Sequence, residues 1–146
     1  PLRATTDRAA LRAALADGTL SAVCSDHKPV KADDKLLPFG EATPGVSAVE
    51  LLLPLTLAWA REAGVPLATA VARLTCDPAA LLGVAGGDLG AGAPADVVLF
   101  DPEATWTANA DTLVSRGRNT PILGRTVTGR TSATLVGGRL VYARQD

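Results

Sequence analysis

Apolar positions near the start of the chain repeat with the period of an α-helix. The repeat is carried by Ala10, Leu11, Ala14 and Leu15. Spacings of three and four residues place these side chains on one helix face. Thr6 is a suitable N-cap, and the carboxylate of Asp7 suits the helix dipole. Because Gly18 is suited to end a helix, we predict an amphipathic helix that stops there.

A short apolar run, Leu20–Ser25, follows and predicts one buried strand. The next stretch, Asp26–Gly45, contains three prolines and two glycines, which is typical of a functional loop. Helical spacing then returns from Val46 or Ser47 to about Glu62, with Gly64 at its end.

Two shorter helices are predicted after this long one. Pro66 suits the first turn of a helix over Leu67–Leu74. Asp77 and Pro78 begin another, which stops at Gly83.

The composition changes near residue 84, where glycines crowd together and the pattern becomes that of β-strands. Gly137–Gly138 separates the last two strands as a two-residue hairpin loop would. We therefore predict a largely helical part over residues 1–83 and a β part over residues 84–146. The predicted strands are Asp96–Asp101, Thr105–Ala108, Arg125–Thr128, Thr131–Val136 and Arg139–Ala143.

Both parts lack partners in this sequence. A lone buried strand such as Leu20–Ser25 cannot satisfy its own backbone N–H and C=O groups. Five short strands likewise leave open sheet edges. We expect this chain to be a piece of a larger fold. A self-sufficient chain would instead have to cover its edges as a homo-oligomer.

Composition excludes several classes of function. The net charge is −1 and the pI is about 5.8, so no nucleic-acid or membrane-surface partner is expected. The apolar run Leu51–Ala60 is too short to span a membrane. We interpret Cys24 and Cys76 as reduced core residues of a cytoplasmic protein.

Candidate chemistry is concentrated at the end of the predicted strand. Asp26 follows that strand directly, with His27, the single histidine, beside it. Strand ends are where barrel enzymes present catalytic side chains. A carboxylate that merely caps the loop is the alternative. Neighbouring strand residues point to opposite faces, so Asp26 and His27 are not expected to bind one ion together.

Motifs along almost the whole chain resemble the dihydroorotases of the amidohydrolase superfamily. Ser25–Pro29 is similar to that family's Thr/Ser-Asp-His-x-Pro-His segment, and Pro1–Arg3 to the end of its Pro-Pro-Leu-Arg segment. Further matches lie at Ala42–Gly45, Glu50–Pro54, Thr75–Ala79, Ala95–Asp101, Ser115–Pro121 and Val136–Tyr142.

The resemblance implies an α/β fold class, a C-terminal fragment of a metal-dependent (β/α)8 TIM barrel plus part of a small β-sandwich domain. Residues 1–83 would hold the last barrel strand and helices, and residues 84–146 the sandwich portion. It also implies a small-molecule cyclic amide as substrate, with dihydroorotate and carbamoyl aspartate interconverted in pyrimidine biosynthesis.

Within that resemblance, Asp26 is the catalytic carboxylate, which contacts the metal and moves a proton from bound water to the leaving nitrogen. The family's zinc site takes one or two ions, but its histidines and carboxylated lysine lie in earlier strands. We therefore expect a missing N-terminal barrel segment to supply them, and no zinc and no activity in this fragment alone. Leu2, Arg3, Ala42 and Gly45 are implied as substrate contacts.

Two positions leave alternatives open. His27 is interpreted as a structural hydrogen-bonding residue under the loop in preference to a metal ligand. Val30 stands where the family usually has a histidine that contacts the substrate, and valine has no hydrogen-bond donor. The alternative function is therefore an inactive homologue that serves as a structural partner of aspartate transcarbamoylase. The turn at Asn119–Pro121 gives no reason to expect a further role.

Overall fold

The computed structural model describes residues 4–144 of the 146-residue chain. Four α-helices are followed by three strands, and this mixture is consistent with a fragment of the predicted α/β class. The helices are α1 (Thr5–Asp17), α2 (Leu52–Ala63), α3 (Leu67–Ala72) and α4 (Cys76–Leu82). The strands are β1 (Val97–Thr107), β2 (Thr126–Val136) and β3 (Arg139–Ala143), and 3₁₀ turns occupy Asp33–Lys35 and Val49–Leu51.

The helix ends follow the predicted glycines, whereas the start of α1 differs. Gly18, Gly64 and Gly83 all adopt the left-handed conformation after α1, α2 and α4. The N-cap of α1 is Ala4, not Thr6. The Asp7 carboxylate accepts the Ala4 N–H at 3.2 Å, which satisfies a free helix donor two residues earlier than predicted.

Two small clusters form the buried core. One joins Trp59, Ala60 and Ala70 on α2 and α3. The other joins Leu51 to Ala108 and Leu113, which lie after β1. Both clusters include residues from 51–60, so this stretch connects the helical part to the β part.

The three strands form one antiparallel sheet in the order β1-β2-β3. The five predicted strands are three, because the first two merge into β1 and the next two into β2. The pairing of β1 with β2 is interrupted between Asp101 and Thr105. Pro102 lies in this gap and has no N–H to donate, so the strand bulges there but does not end. The hairpin at Gly137–Gly138 is confirmed, since both residues have positive φ (55° and 77°).

The predicted buried strand Leu20–Ser25 is wrong for the described residues. The segment has no sheet partner among the described residues, and the nearest pairing is an isolated parallel bridge between His27 and Val46. The physical reason is that no strand of residues 4–144 lies beside it. Cys24 and Cys76 are free thiols but both are exposed, so their placement in the core is also wrong.

The chain exposes an unusually large surface. Its accessible area is 9749 Å² at 14.9 kDa. A compact monomer of this mass exposes about 7,000 Å². The excess, about 2,700 Å² on this chain alone, is at or above one partner's share of a large permanent interface, which buries about 2,000–5,000 Å² over both partners. Apolar side chains contribute to it, including Leu140 and Val141 on β3. The boundary near residue 84 stays a prediction.

No helix within residues 4–144 combines the length and the apolar character that crossing a bilayer requires.

Gly129 offers a test of the packing between α2 and the sheet. It is buried with φ of +109°, and an added Cβ would lie 2.5 Å from Leu57 Cδ1. We expect Gly129→Ala to lower the free energy of unfolding by about 1–3 kcal/mol, through strain and overpacking. Denaturant unfolding of the natural protein that carries this sequence measures it. Gly40→Ala is the control, because nothing lies within 4 Å of that position. Equal stability of the two variants would contradict the packing.

Candidate functional site

Asp26 occupies an unusual backbone conformation at the start of the long loop. Its φ of +42° makes it the single non-glycine residue with positive φ among residues 4–144. Left-handed backbone at a non-glycine residue costs of order 1 kcal/mol and persists where surrounding contacts enforce it. The residue is exposed, and its N–H points to Cys24 Sγ at 3.4 Å. The carboxylate is therefore accessible on a constrained backbone.

His27 fixes the loop directly after Asp26. Its Nδ1 accepts the backbone N–H groups of Ala48 at 3.0 Å and Val49 at 3.1 Å. Since Nδ1 is the acceptor, the neutral ring carries its proton on Nε2. The N–H of Lys28 also donates to the Val46 carbonyl at 2.8 Å. These bonds agree with the structural interpretation of His27.

Asn119 joins both ends of the loop and was missed as anything more than a turn residue. Its Oδ1 accepts the Val30 N–H at 3.1 Å, and its Nδ2 donates to the carbonyls of Lys28 and Gly45, each at 3.1 Å. The Lys28 partner lies 91 positions earlier in the chain. No local sequence signal encodes such a contact. Its spacing within the Ser115–Pro121 match was the one available hint.

The segment that carries Asn119 packs closely on the base of the loop. Glu50 accepts the N–H groups of Val114 at 2.9 Å and Ser115 at 2.7 Å. A Cβ at Gly117 would lie 2.6 Å from Ser47 Oγ. Glycine is therefore required at 117 for this approach.

The predicted substrate contacts have different outcomes. Leu2 and Arg3 lie outside the described residues. Ala42 donates its N–H to the Pro38 carbonyl at 2.9 Å. The Gly45 carbonyl accepts both Lys35 Nζ at 2.9 Å and Asn119. Within residues 4–144, the Ala42 carbonyl and the Gly45 N–H are left without an intramolecular partner, and they are the backbone groups a substrate could use.

Two cavities within the described residues adjoin the candidate site. One of them, about 430 Å³, lies between α2 and the sheet and includes Trp106 and Tyr142. A smaller one, about 210 Å³, borders Val23 and Ser25 and is mostly apolar. Asp26 lines neither of these two cavities.

The described residues also do not form a metal centre. Within residues 4–144, no three His, Cys, Asp or Glu side chains are grouped closely enough to hold an ion. Asp26 is one oxygen donor, and His27 Nδ1 is already occupied by two N–H groups. A zinc site takes three protein ligands as a rule, so these residues do not fit zinc unaided.

Comparison with known proteins gives consistent matches over nearly the whole chain. Residues 2–141 match the Amidohydrolase family. A dihydroorotase of Geobacter metallireducens is 42% identical over 144 residues, which cover 99% of this chain and 34% of that protein. A dihydroorotase-like protein of Pseudomonas putida is 44% identical over 142 residues, or 97% of this chain and 33% of that one. The chain thus spans about a third of these relatives' length.

Solved structures give the same fold. Dihydropyrimidinase from Brevibacillus agri superposes with a TM-score of 0.89 at 28% identity, covering 98% of this chain and 32% of that one. L-Hydantoinase from Arthrobacter aurescens superposes with a TM-score of 0.88 at 26% identity, covering 100% of this chain and 34% of that one.

Two substitutions of His27 distinguish the contribution of its acceptor nitrogen to stability from that of the rest of the ring. His27→Ala leaves the N–H groups of Ala48 and Val49 without an acceptor, which we expect to lower the free energy of unfolding by about 1–3 kcal/mol. His27→Asn is the matched control, because its Oδ1 can take the place of Nδ1. Denaturant unfolding measures both. An equal loss in the two variants would show that the acceptor is not what stabilises the loop.

Proposed function

This chain belongs to the amidohydrolase family, and we propose that the natural protein carrying it hydrolyses a cyclic amide, with dihydroorotate and carbamoyl aspartate as the substrate pair. Identity to dihydroorotases over almost the full chain supports this choice of substrate. Hydantoinases share the fold at lower identity. The assigned reaction class is hydrolysis of a ring C–N bond in pyrimidine biosynthesis.

The observation that carries the proposal is the constrained, exposed Asp26. Left-handed backbone at a non-glycine residue is strained, and such strain is concentrated at functional sites, where it fixes the position of a side chain. The Asp26 carboxylate is exposed, so it can exchange a proton with a bound substrate. The resemblance of Ser25–Pro29 to the family's Thr/Ser-Asp-His-x-Pro-His segment supports the assignment of Asp26 as the catalytic acid.

The proton transfer assigned to Asp26 is a general base step followed by a general acid step. Attack of water forms a C–O bond at the ring carbonyl while the carboxylate accepts a proton from that water. The same proton then passes to the ring nitrogen as the C–N bond breaks, because an unprotonated amide nitrogen is a poor leaving group. The carboxylate ends in its starting state.

Some of the proposed zinc ligands and substrate contacts belong to residues outside 4–144. Zinc, when bound, would activate the attacking water, but its other ligands would have to come from outside residues 4–144. We assign Leu2, Arg3, Ala42 and Gly45 to substrate binding. An arginine suits the substrate carboxylate. The two free cysteines agree with a location in the cytoplasm.

A second candidate function rests on Val30. Its side chain is half-buried and offers no hydrogen bond to a substrate carboxylate, and its N–H is engaged by Asn119. The Pseudomonas putida relative is named dihydroorotase-like. In this alternative the natural protein is an inactive scaffold for aspartate transcarbamoylase. It would co-elute with that enzyme and would turn over no dihydroorotate.

The direct test is Asp26→Asn in the natural protein. Asparagine tolerates the left-handed backbone and is nearly isosteric, so folding is preserved while the proton carrier is lost. We expect kcat for dihydroorotate hydrolysis to fall by about 10²–10⁴-fold. Asp111→Asn is the control, since Asp111 is exposed and its carboxylate has no bond within the described residues. Retention of wild-type kcat by Asp26→Asn would refute the assignment.

A further inference from the structure

We propose that Asn119 is a positioning residue for Asp26. It holds the base of the loop that begins at Asp26, which comprises residues 26–47, in a single geometry. The proposal rests on the proposed function, because it concerns where the Asp26 carboxylate is held during the reaction. Asn119 does not touch the reacting atoms in this assignment. It acts through the backbone of the loop that begins with Asp26.

The side chain of Asn119 uses its hydrogen-bonding groups on the loop alone. Its Oδ1 accepts from Val30, and its Nδ2 donates to Lys28 and to Gly45. Two donors and one acceptor in one plane are what a primary amide provides. A flipped amide would place its oxygen against two carbonyl oxygens, so the network determines the orientation.

The backbone of Asn119 adds a fourth contact to the same loop. Its carbonyl accepts the Ser47 N–H at 3.1 Å, just beyond the parallel bridge between His27 and Val46. Residues 28, 30, 45 and 47 are therefore all tied to one residue of the C-terminal part. Lys28 is only two residues from Asp26, so fixing its carbonyl limits the backbone that presents the carboxylate.

The tip of the loop, around Leu36 and Phe39, has few contacts of its own, so the base of the loop needs to be fixed separately. Phe39 is 97% exposed and Leu36 is 82% exposed, so little within the described chain holds the tip. Lys35 does bridge the loop by donating to the carbonyls of Thr43 and Gly45. The Asn119 contacts lie at the base, between the tip and Asp26, and prevent displacement of the tip from reaching the carboxylate.

The decisive variant is Asn119→Asp in the natural protein. The new carboxylate keeps the shape and the acceptor for Val30 but faces the Lys28 and Gly45 carbonyls without a donor. Misplacing a catalytic group by about 1 Å costs on the order of 10²-fold. We expect kcat to fall by about that factor while KM changes less than about threefold, because a positioning defect acts on the transition state more than on substrate binding.

The matched control is Asn109→Asp, the same chemical change elsewhere. Among residues 4–144, the Asn109 side chain bonds through Oδ1 alone, which accepts the N–H groups of Asp111 at 2.9 Å and Thr112 at 3.0 Å. Aspartate preserves both bonds, so kcat and KM should match the wild type. Asn119→Ser is a second, uncharged variant in case Asn119→Asp does not fold. It too should lower kcat without a matching change in KM.

Two measurements separate the possible failures. Wild-type kcat in Asn119→Asp or Asn119→Ser, alongside loss of turnover in Asp26→Asn, overturns the positioning role and leaves the proposed function standing. Wild-type kcat in Asp26→Asn overturns the proposed function, and the positioning role falls with it. Amide exchange at Lys28, whose N–H donates to the Val46 carbonyl beside the two carbonyls that lose their donor, gives an independent reading. This exchange should be faster in Asn119→Asp than in Asn109→Asp. Equal exchange rates in the two variants would contradict the positioning role of Asn119.

Discussion

Backbone hydrogen bonding in residues 20–25 is the constraint on which the position of Asp26 depends. Two of the amides in this stretch have partners in the described chain. Leu20 donates to Ala14 at 2.9 Å and Val23 to Arg73 at 3.1 Å. The other four N–H groups have none among residues 4–144. Such backbone groups must be satisfied either by water or by other chain segments. The candidate acid follows this stretch directly.

The loop that begins at Asp26 has a closed side, where hydrogen bonds hold it, and an open side, where few contacts do. On the closed side, His27 and Asn119 fix it through bonds to backbone groups of residues 28–49. On the open side lie the unpaired segment and an accessible surface well above that of a compact monomer. One candidate acid on a loop base with an open side is consistent with a chain that spans about a third of its amidohydrolase relatives.

Local signals in the sequence predicted the features that depend on neighbouring residues. Gly18, Gly64 and Gly83 end helices, and Gly137–Gly138 forms the hairpin, because each needs a left-handed backbone that glycine adopts without strain. Leu20–Ser25 has the composition of a buried strand, yet burial depends on partners that residues 4–144 do not provide. Asn119 was missed for a related reason. Its three side-chain partners lie 74 to 91 positions away in sequence.

Amide hydrogen exchange of residues 20–25 in the natural protein tests the central claim most directly. If this chain supplies one strand and one acid to a larger sheet, the amides of Ser21, Ala22, Cys24 and Ser25 are bonded to other segments. They should then exchange as slowly as those of core strands. Exchange at the rate of an unstructured peptide would show that no partner pairs with this segment, and the account of Asp26 as part of a completed site would be wrong.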